Sequence, residues 1–464
     1  MAMFTAAQIA RAVGGRVARG SEGMEASGVS TDSRTLAPGE LFIPLTGPNF
    51  DGHDFIGRAA AAGAAGVIVQ RGRSTPSLDG IFAIEVEDTL RALGDLARFH
   101  RERHDILAAA VTGSNGKTTT KEMLASIFSL GAETLKSEGN LNNLVGLPHQ
   151  VLRLLPEHSR AVFEMGMNQP GEIRRLAEIA LPRIGVITNV ALAHLEGLGS
   201  IEAVREAKGE LLEAMGAKGR AALSGEDSHS RLLARRFREA GGEVLTFGFS
   251  ADCGVRGSDI RVSAGEGTRF ALHAGGREAR VRLPGLGRHN VLNALAAAAA
   301  ASLADCPMDE IARGLERAAP PKMRLEVRPL PRWEGCSLID DAYNANPASM
   351  LQALETAAQL RGEARLFAVL GDMKELGAYA EEAHRELGRA AARLADGLAG
   401  VGPMMALAVE EARRAGLPPE RARRFEAPAE ASAWVARCLK PGDWVLVKGS
   451  RSMRMERAAE ALEG

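Results

Sequence analysis

The clearest chemistry in the chain is carried by ten consecutive residues, Val111-Thr112-Gly113-Ser114-Asn115-Gly116-Lys117-Thr118-Thr119-Thr120. An apolar run precedes them and an amphipathic stretch follows, so the glycines fall between a strand and a helix. In that position glycine lets backbone N–H groups turn inward onto phosphate oxygens. The helix N-terminus adds partial positive charge, and Lys117 adds a whole one. Thr118 then offers a hydroxyl to Mg²⁺. The extra glycine of the common phosphate loop is replaced by Val111, so this is a short form of the loop. No guanine-reading motif accompanies it, which makes ATP the expected nucleotide.

Three further segments place hard ligands where a parallel sheet gathers them, at the C-terminal ends of its strands. Glu164 ends AVFEMG, His194 follows ITNVALA, and Lys208 lies in the helical AKGE. A triphosphate brings roughly four negative charges, so its chemistry needs Mg²⁺ and oxygen or imidazole ligands to hold it. Glu164 and His194 suit that role. A lysine cation would repel the metal, so Lys208 belongs there only if its charge is inverted. In GRHNVLN, Asn290 and Asn293 share one helical face, where amides either read an adenine edge or cap the helix. Arg324 follows a linker. The run Asp340-Asp341-Ala342-Tyr343-Asn344-Ala345-Asn346-Pro347 ends a strand; paired acids there read as too polar for a core, and Asn-Pro reads as a turn.

These residues must be positioned by alternating strands and helices. Strands are expected at 106–112, 161–165, 184–190 and 221–224, with helices at 117–128 and 171–180, building a parallel sheet. Residues 244–286 change to short, Gly-rich alternation and read as antiparallel hairpins appended to it. Helices follow at 290–303 and 308–318, and Pro320-Pro321 interrupts them. Beyond lie strands at 337–340, 366–370, 398–401 and 444–447 in a second doubly wound, Rossmann-like unit. Before residue 105, strands at 41–45 and 66–69 mark a small mixed domain. The expected fold is therefore α/β in three domains, 1–104, 105–319 and 320–464.

Composition sets the remaining bounds. Hydrophobic residues at 45% and charged residues at 25% describe a folding, water-soluble chain. Lys plus Arg total 57 against 58 Asp plus Glu, leaving no global field for nucleic acid. Cys253, Cys306, Cys336 and Cys438 show no CxxC spacing, which fits a reducing cytoplasm without zinc or disulfides. No stretch reads as a leader or as membrane-embedded, and the alanine run 294–301 reads as a closely packed helix. Without exposed heptads, a monomer is expected.

Across nearly the whole length, TGSNGKTTTKE, EGNLNNLVGLP, FEMGMNQPGEI, ITNVALAHLEGLGS, AKGE, GRHNVLNALAA, IDDAYNANPASM, LGDMKELG and VKGSRSMRMERA resemble Mur ligase segments in their order. The resemblance implies a UDP-sugar-binding N-terminal domain, an ATP-binding central domain and a mobile C-terminal domain that binds the incoming amine. It implies Gly113, Ser114, Asn115, Gly116, Lys117, Thr118, Thr119, Asn290, Asn293, Arg324 and Asp341 around ATP. Thr118 and Glu164 would hold one Mg²⁺, and His194 with an N-carboxylated Lys208 a second. Lys117, His194, Lys208 and Arg324 would then be catalytic. Thr31, Ser33, Arg34, Asn142 and Asn143 would face UDP-N-acetylmuramoyl-tripeptide. The IDDAYNANP run and Lys448-Gly449-Ser450-Arg451 point to a member that adds D-alanyl-D-alanine. The Asp-Asn-Pro-Arg segment of the members adding the third residue is absent. A phosphate-loop kinase or NTPase is the rival reading; it predicts turnover without an amine acceptor.

Overall fold

Alanine and valine dominate Leu107–Thr112, and a strand so uniformly apolar needs cover on both faces. The computed structural model, which describes residues 2–73, 79–193 and 195–464, supplies it. The strand lies third in a nine-stranded sheet whose order is Thr134–Lys136, Arg160–Glu164, Leu107–Thr112, Ile184–Ile187, Arg220–Ser224, Glu243–Gly248, Val255–Ser263, Gly267–Ala274 and Arg277–Leu283. Pairing is parallel as far as Val255–Ser263, then antiparallel. One face packs on Lys117–Phe128 and Arg288–Leu303, the other on helices that include Glu172–Ala180 and Ile201–Met215.

The expected hairpins begin later than residue 244. Glu243–Gly248 continues the parallel sheet, and antiparallel pairing begins only between Val255–Ser263 and Gly267–Ala274, with Arg277–Leu283 turning back again. The strand expected at 184–190 stops at Ile187, because Thr188 and Asn189 turn their side chains toward the phosphate loop. The strand expected at 41–45 is only Leu41–Phe42, ahead of Pro44, which has no N–H for a ladder. It belongs to a five-stranded N-terminal sheet.

The C-terminal unit is a six-stranded sheet in the order Glu326–Pro329, Ser337–Asp341, Trp444–Lys448, Leu366–Gly371, Gly397–Val401 and Ala422–Phe425. Its first strand is an antiparallel edge that the sequence pattern did not indicate. The paired acids are a correction. Asp340 and Asp341 are buried, and each has a cation: Arg328 lies 2.6 Å from Asp340 and Lys448 2.6 Å from Asp341. Burial still pushes the Asp340 carboxyl up from its ordinary range.

All four cysteines are free thiols. Among the described residues, no helix is long and apolar enough to cross a membrane. Residues Ala294 to Ala301 are fully buried, so the helix approaches the sheet at alanine distance. Ala297→Leu would overpack that contact. Its expected cost is about 1–3 kcal/mol of unfolding free energy, read as a lowered denaturant midpoint; an unchanged midpoint would mean that the helix has room.

Candidate active site

A loop between strand and helix has no ladder to satisfy it, so its backbone groups need other partners. Here they come from the segment after Ile184–Ile187. Asn189 accepts from the Asn115 N–H at 3.0 Å and donates to the Asn115 carbonyl at 3.2 Å, and the Thr188 hydroxyl donates to the same carbonyl at 2.5 Å. The Ser114 hydroxyl donates to the Ala191 carbonyl and accepts from its N–H, both at 2.9 Å. Two positions require glycine. Gly113 has φ +146°, and a Cβ there would lie 1.9 Å from the Thr188 hydroxyl. Gly116 has φ +80°, and a Cβ would lie 2.0 Å from Asn293 Oδ1.

Lys117 folds back onto the loop, donating to the Gly113 carbonyl at 2.9 Å. Burial lowers its ammonium pKa, Glu164 opposes the shift and Arg324 adds to it. Glu164 is buried at the end of its strand and accepts from Asn142 at 2.7 Å through Oε1. Its Oε2 has no hydrogen-bond partner among the described residues; the nearest cation, Lys121, stands 4.0 Å away. Lys121 is itself fully buried and held by Glu122 at 2.9 Å and the Ser137 carbonyl at 2.7 Å. Lys208 is buried on the Ile201–Met215 helix, and desolvation, reinforced by the charge of Lys117, drives its pKa well below the ordinary lysine value. His194 lies outside the described residues.

The C-terminal unit reaches into this loop. Arg324 donates to the Thr118 hydroxyl at 3.2 Å, and its guanidinium lies 4.3 Å above the Tyr343 ring. Asn346 caps the Pro347–Leu360 helix through Oδ1 while its amide donates to Asn115 Oδ1 at 2.7 Å. His289 stands near Asp341 and Lys448; burial lowers its pKa to about 4, so it is neutral at pH 7. Asn290 and Asn293 are buried and joined side chain to side chain at 3.2 Å. Asn290 also donates to the Leu286 carbonyl at 2.8 Å, and Asn293 faces Gly116; neither amide caps the helix, whose N-cap residue is Gly287.

Most of these groups line a cavity of about 1060 Å³, at the upper end of small-molecule sites. Its wall includes the loop from Ser114 to Thr119, Asn142, Asn143, Glu164, Asn290, Asn293, Arg324 and Asp341. Asn143 also spends Oδ1 on the N–H groups of Val145 and Gly146. Gly113, Lys208, Thr31, Ser33 and Arg34 are not in that wall. Thr31 meets His149 of the central unit at 3.0 Å, Ser33 is buried, and Arg34 is exposed and paired with Asp32 at 2.6 Å. Hydrogen bonds from Arg34 hold the Asp32 carboxyl at about 2. Sequence reasoning assigned no role to Asn189, Tyr343, Asn346 or Lys448. For Tyr343 and Asn346, the signals were two polar residues inside an otherwise turn-like DDAYNANP and the family resemblance of that run as a whole.

Fold and site thus define a three-unit, phosphate-loop nucleotide-binding protein whose last unit touches the loop. Family models agree along the chain: "Mur ligase family, catalytic domain" matches residues 25–101, "Mur ligase middle domain" 111–301, and "Mur ligase, glutamate ligase domain" 323–451. The chain belongs to the Mur ligase family. It is 37% identical over 444 residues to the UDP-N-acetylmuramoyl-tripeptide–D-alanyl-D-alanine ligase of Escherichia coli K12, covering 94% of this chain and 93% of that one. A crystal structure of MurF from Acinetobacter baumannii superposes with a TM-score of 0.89 at 33% identity, over 99% of both chains. MurF from Thermotoga maritima in complex with ADP gives 0.83 at 30% identity, over 94% of this chain and 96% of that one.

The Gly116 geometry carries a prediction. Gly116→Ala places a methyl group in the Asn293 amide and demands a left-handed alanine, so the loop must deform. Calorimetry should show ATP affinity reduced by about 10-fold or more, the equivalent of 1–3 kcal/mol of strain; unchanged affinity would mean that ATP does not use this loop.

Proposed function

We propose that the chain is an ADP-forming ligase that joins D-alanyl-D-alanine to UDP-N-acetylmuramoyl-tripeptide in peptidoglycan precursor synthesis, working as a monomer on water-soluble substrates in the cytoplasm. The observation that carries this reading is the Arg324–Thr118 contact, which sets a C-terminal-unit cation on the phosphate loop inside one large cavity. A kinase needs only the loop and a phosphoryl acceptor. A ligase must also hold an amine against the activated carboxyl and keep water out, and a third unit closing on the loop does both.

A peptide carboxylate is a poor electrophile. In this reading the carboxylate oxygen attacks the γ-phosphorus of ATP, ADP departs, and an acyl phosphate forms; the dipeptide amine then attacks the acyl carbon and phosphate leaves. The protein's part in the first step is alignment and charge neutralisation. Gly113, Ser114, Asn115, Gly116 and Thr119 present the loop to the triphosphate, and Lys117 exchanges its loop carbonyls for phosphate oxygens. Arg324 turns from Thr118 onto the same charge. Asn290, Asn293 and Asp341 line the nucleoside end. Asn142 and Asn143 face the UDP-linked substrate from the central unit, and Thr31, Ser33 and Arg34 meet its UDP from the N-terminal unit.

The donor set fits Mg²⁺. Glu164 Oε2 is a buried carboxylate oxygen without a hydrogen bond, and the Thr118 hydroxyl faces the same cavity. These two would hold one ion, and His194 with an N-carboxylated Lys208 a second; the metal supplies neutralisation of the phosphate charge. Lys208 suits carboxylation because burial favours its neutral amine over the ammonium, and the neutral amine is the form that attacks CO₂ with loss of a proton.

Phosphate release from Mg²⁺-ATP should require UDP-N-acetylmuramoyl-tripeptide and D-alanyl-D-alanine together. Release with ATP alone would instead favour an NTPase. For the lysine, ¹³CO₂ equilibration of the wild type should give a carbamate resonance that Lys208→Ala lacks, and the variant should lose turnover; a wild-type spectrum without that resonance would rule the carbamate out.

A further inference from the structure

Arg324 is held in a costly backbone. The residues on either side, Met323 at φ 55° and Leu325 at φ 50°, are both left-handed, a region that side-chain-bearing residues seldom occupy and that persists only where the surroundings enforce it. Three hydrogen bonds enforce it here. The Met323 N–H donates to Glu326 at 3.3 Å, the Tyr343 N–H donates to the Met323 carbonyl at 3.3 Å, and the Leu325 N–H donates to Asp341 Oδ1 at 3.2 Å.

The last of these leads to a second cation. Asp341 uses its other oxygen, Oδ2, for Lys448 at 2.6 Å, and Lys448 also donates to the Asn344 carbonyl at 2.8 Å. Lys448 is only 3% exposed, so its ammonium is committed to these two acceptors rather than free in the cavity. A buried carboxylate deprived of its counter-ion would reorganise, and Asp341 is also the group that fixes the Leu325 N–H. On the other side of the turn, the Tyr343 ring supports the guanidinium from below. Backbone turn, buried ion pair and ring converge on one outcome: Arg324 reaches Thr118 at 3.2 Å.

The geometry points to Lys448 and Tyr343 as positioning residues that act through Arg324, Lys448 by fixing Asp341 and the strained turn, Tyr343 by supporting the guanidinium. This rests on the reading that Arg324 meets the nucleotide phosphates. It adds that Lys448, although charged and beside the cavity, serves the nucleotide indirectly.

A double-mutant cycle on the full chain tests it, read as calorimetric affinity for a nonhydrolysable ATP analogue with Mg²⁺ and no acceptor. Arg324→Ala should weaken binding roughly 10- to 100-fold. Lys448→Met and Tyr343→Leu should each cost about 10-fold alone, yet less than about twofold more on the Arg324→Ala background. Tyr343→Phe keeps the ring and should recover most of the affinity. Additive losses in either cycle would overturn the assignment for that residue, because they would mean that it acts on the nucleotide or the fold independently of Arg324. Should Lys448→Met fail to melt cooperatively, the Tyr343→Leu cycle decides alone. A wild type that binds the analogue but releases no phosphate with both substrates would sink the ligase reading and leave the cycle to judge this one.

Discussion

Phosphate is held by backbone, and backbone released from strand and helix must be fixed by something else. In this chain the Gly113–Gly116 loop is fixed by Thr188, Asn189 and Ala191, which follow the neighbouring parallel strand. Because the two strands pair in register, with Thr112 opposite Ile187, the residues just beyond them fall side by side. The parallel sheet therefore does more than carry the loop; its register selects which residues brace it. That bracing is complete without a ligand, so little reorganisation is left for nucleotide binding, and preorganisation of this kind is where much electrostatic stabilisation originates.

Charge is the second constraint. Lys117 and Lys121 are withdrawn from water near Glu164, Lys208 is buried within reach of the Lys117 charge, and Arg324 reaches Thr118. Lys121 has its own carboxylate in Glu122, but the remaining cations outnumber Glu164. Burying like charges is expensive unless an anion offsets them. Two responses are visible. The pKa values of Lys117 and Lys208 fall, which removes part of the charge, and Lys117 and Arg324 turn onto loop oxygens as provisional partners. Those provisional contacts are neutral oxygens, so the cations remain short of full countercharge.

How much of this could be read from sequence followed sequence distance. The helix expected at 117–128 is found as Lys117–Phe128, because a glycine-rich start and a periodic apolar face are local signals. The alanine helix and the parallel strands were legible for the same reason, and so was the family resemblance of the segments at the strand ends. Long-range partners were not. Arg324 and Thr118 are 206 positions apart, and Asn346 and Asn115 are 231 apart; nothing in either segment names the other. The reading of Asp340 and Asp341 as too polar for a core failed on this point, since their burial depends on Arg328 and Lys448, and Lys448 lies more than 100 positions away. The edge strand Glu326–Pro329 was missed because four partly polar residues carry too little period to register.

The same distances separate contacts within a unit from contacts between units. A contact made by residues on one helix persists whatever the ligand, whereas Arg324–Thr118 and Asn346–Asn115 exist only when two separately folded sheets are brought together. Both reach residues of the phosphate loop or its first helical turn, and neither side chain is spent wholly on the contact: Asn346 caps its own helix, and Arg324 rests on its own tyrosine. The C-terminal unit therefore arrives with its contact groups already oriented by its own fold. Bringing the two units together then costs the ordering of two bodies but little ordering of the side chains that meet.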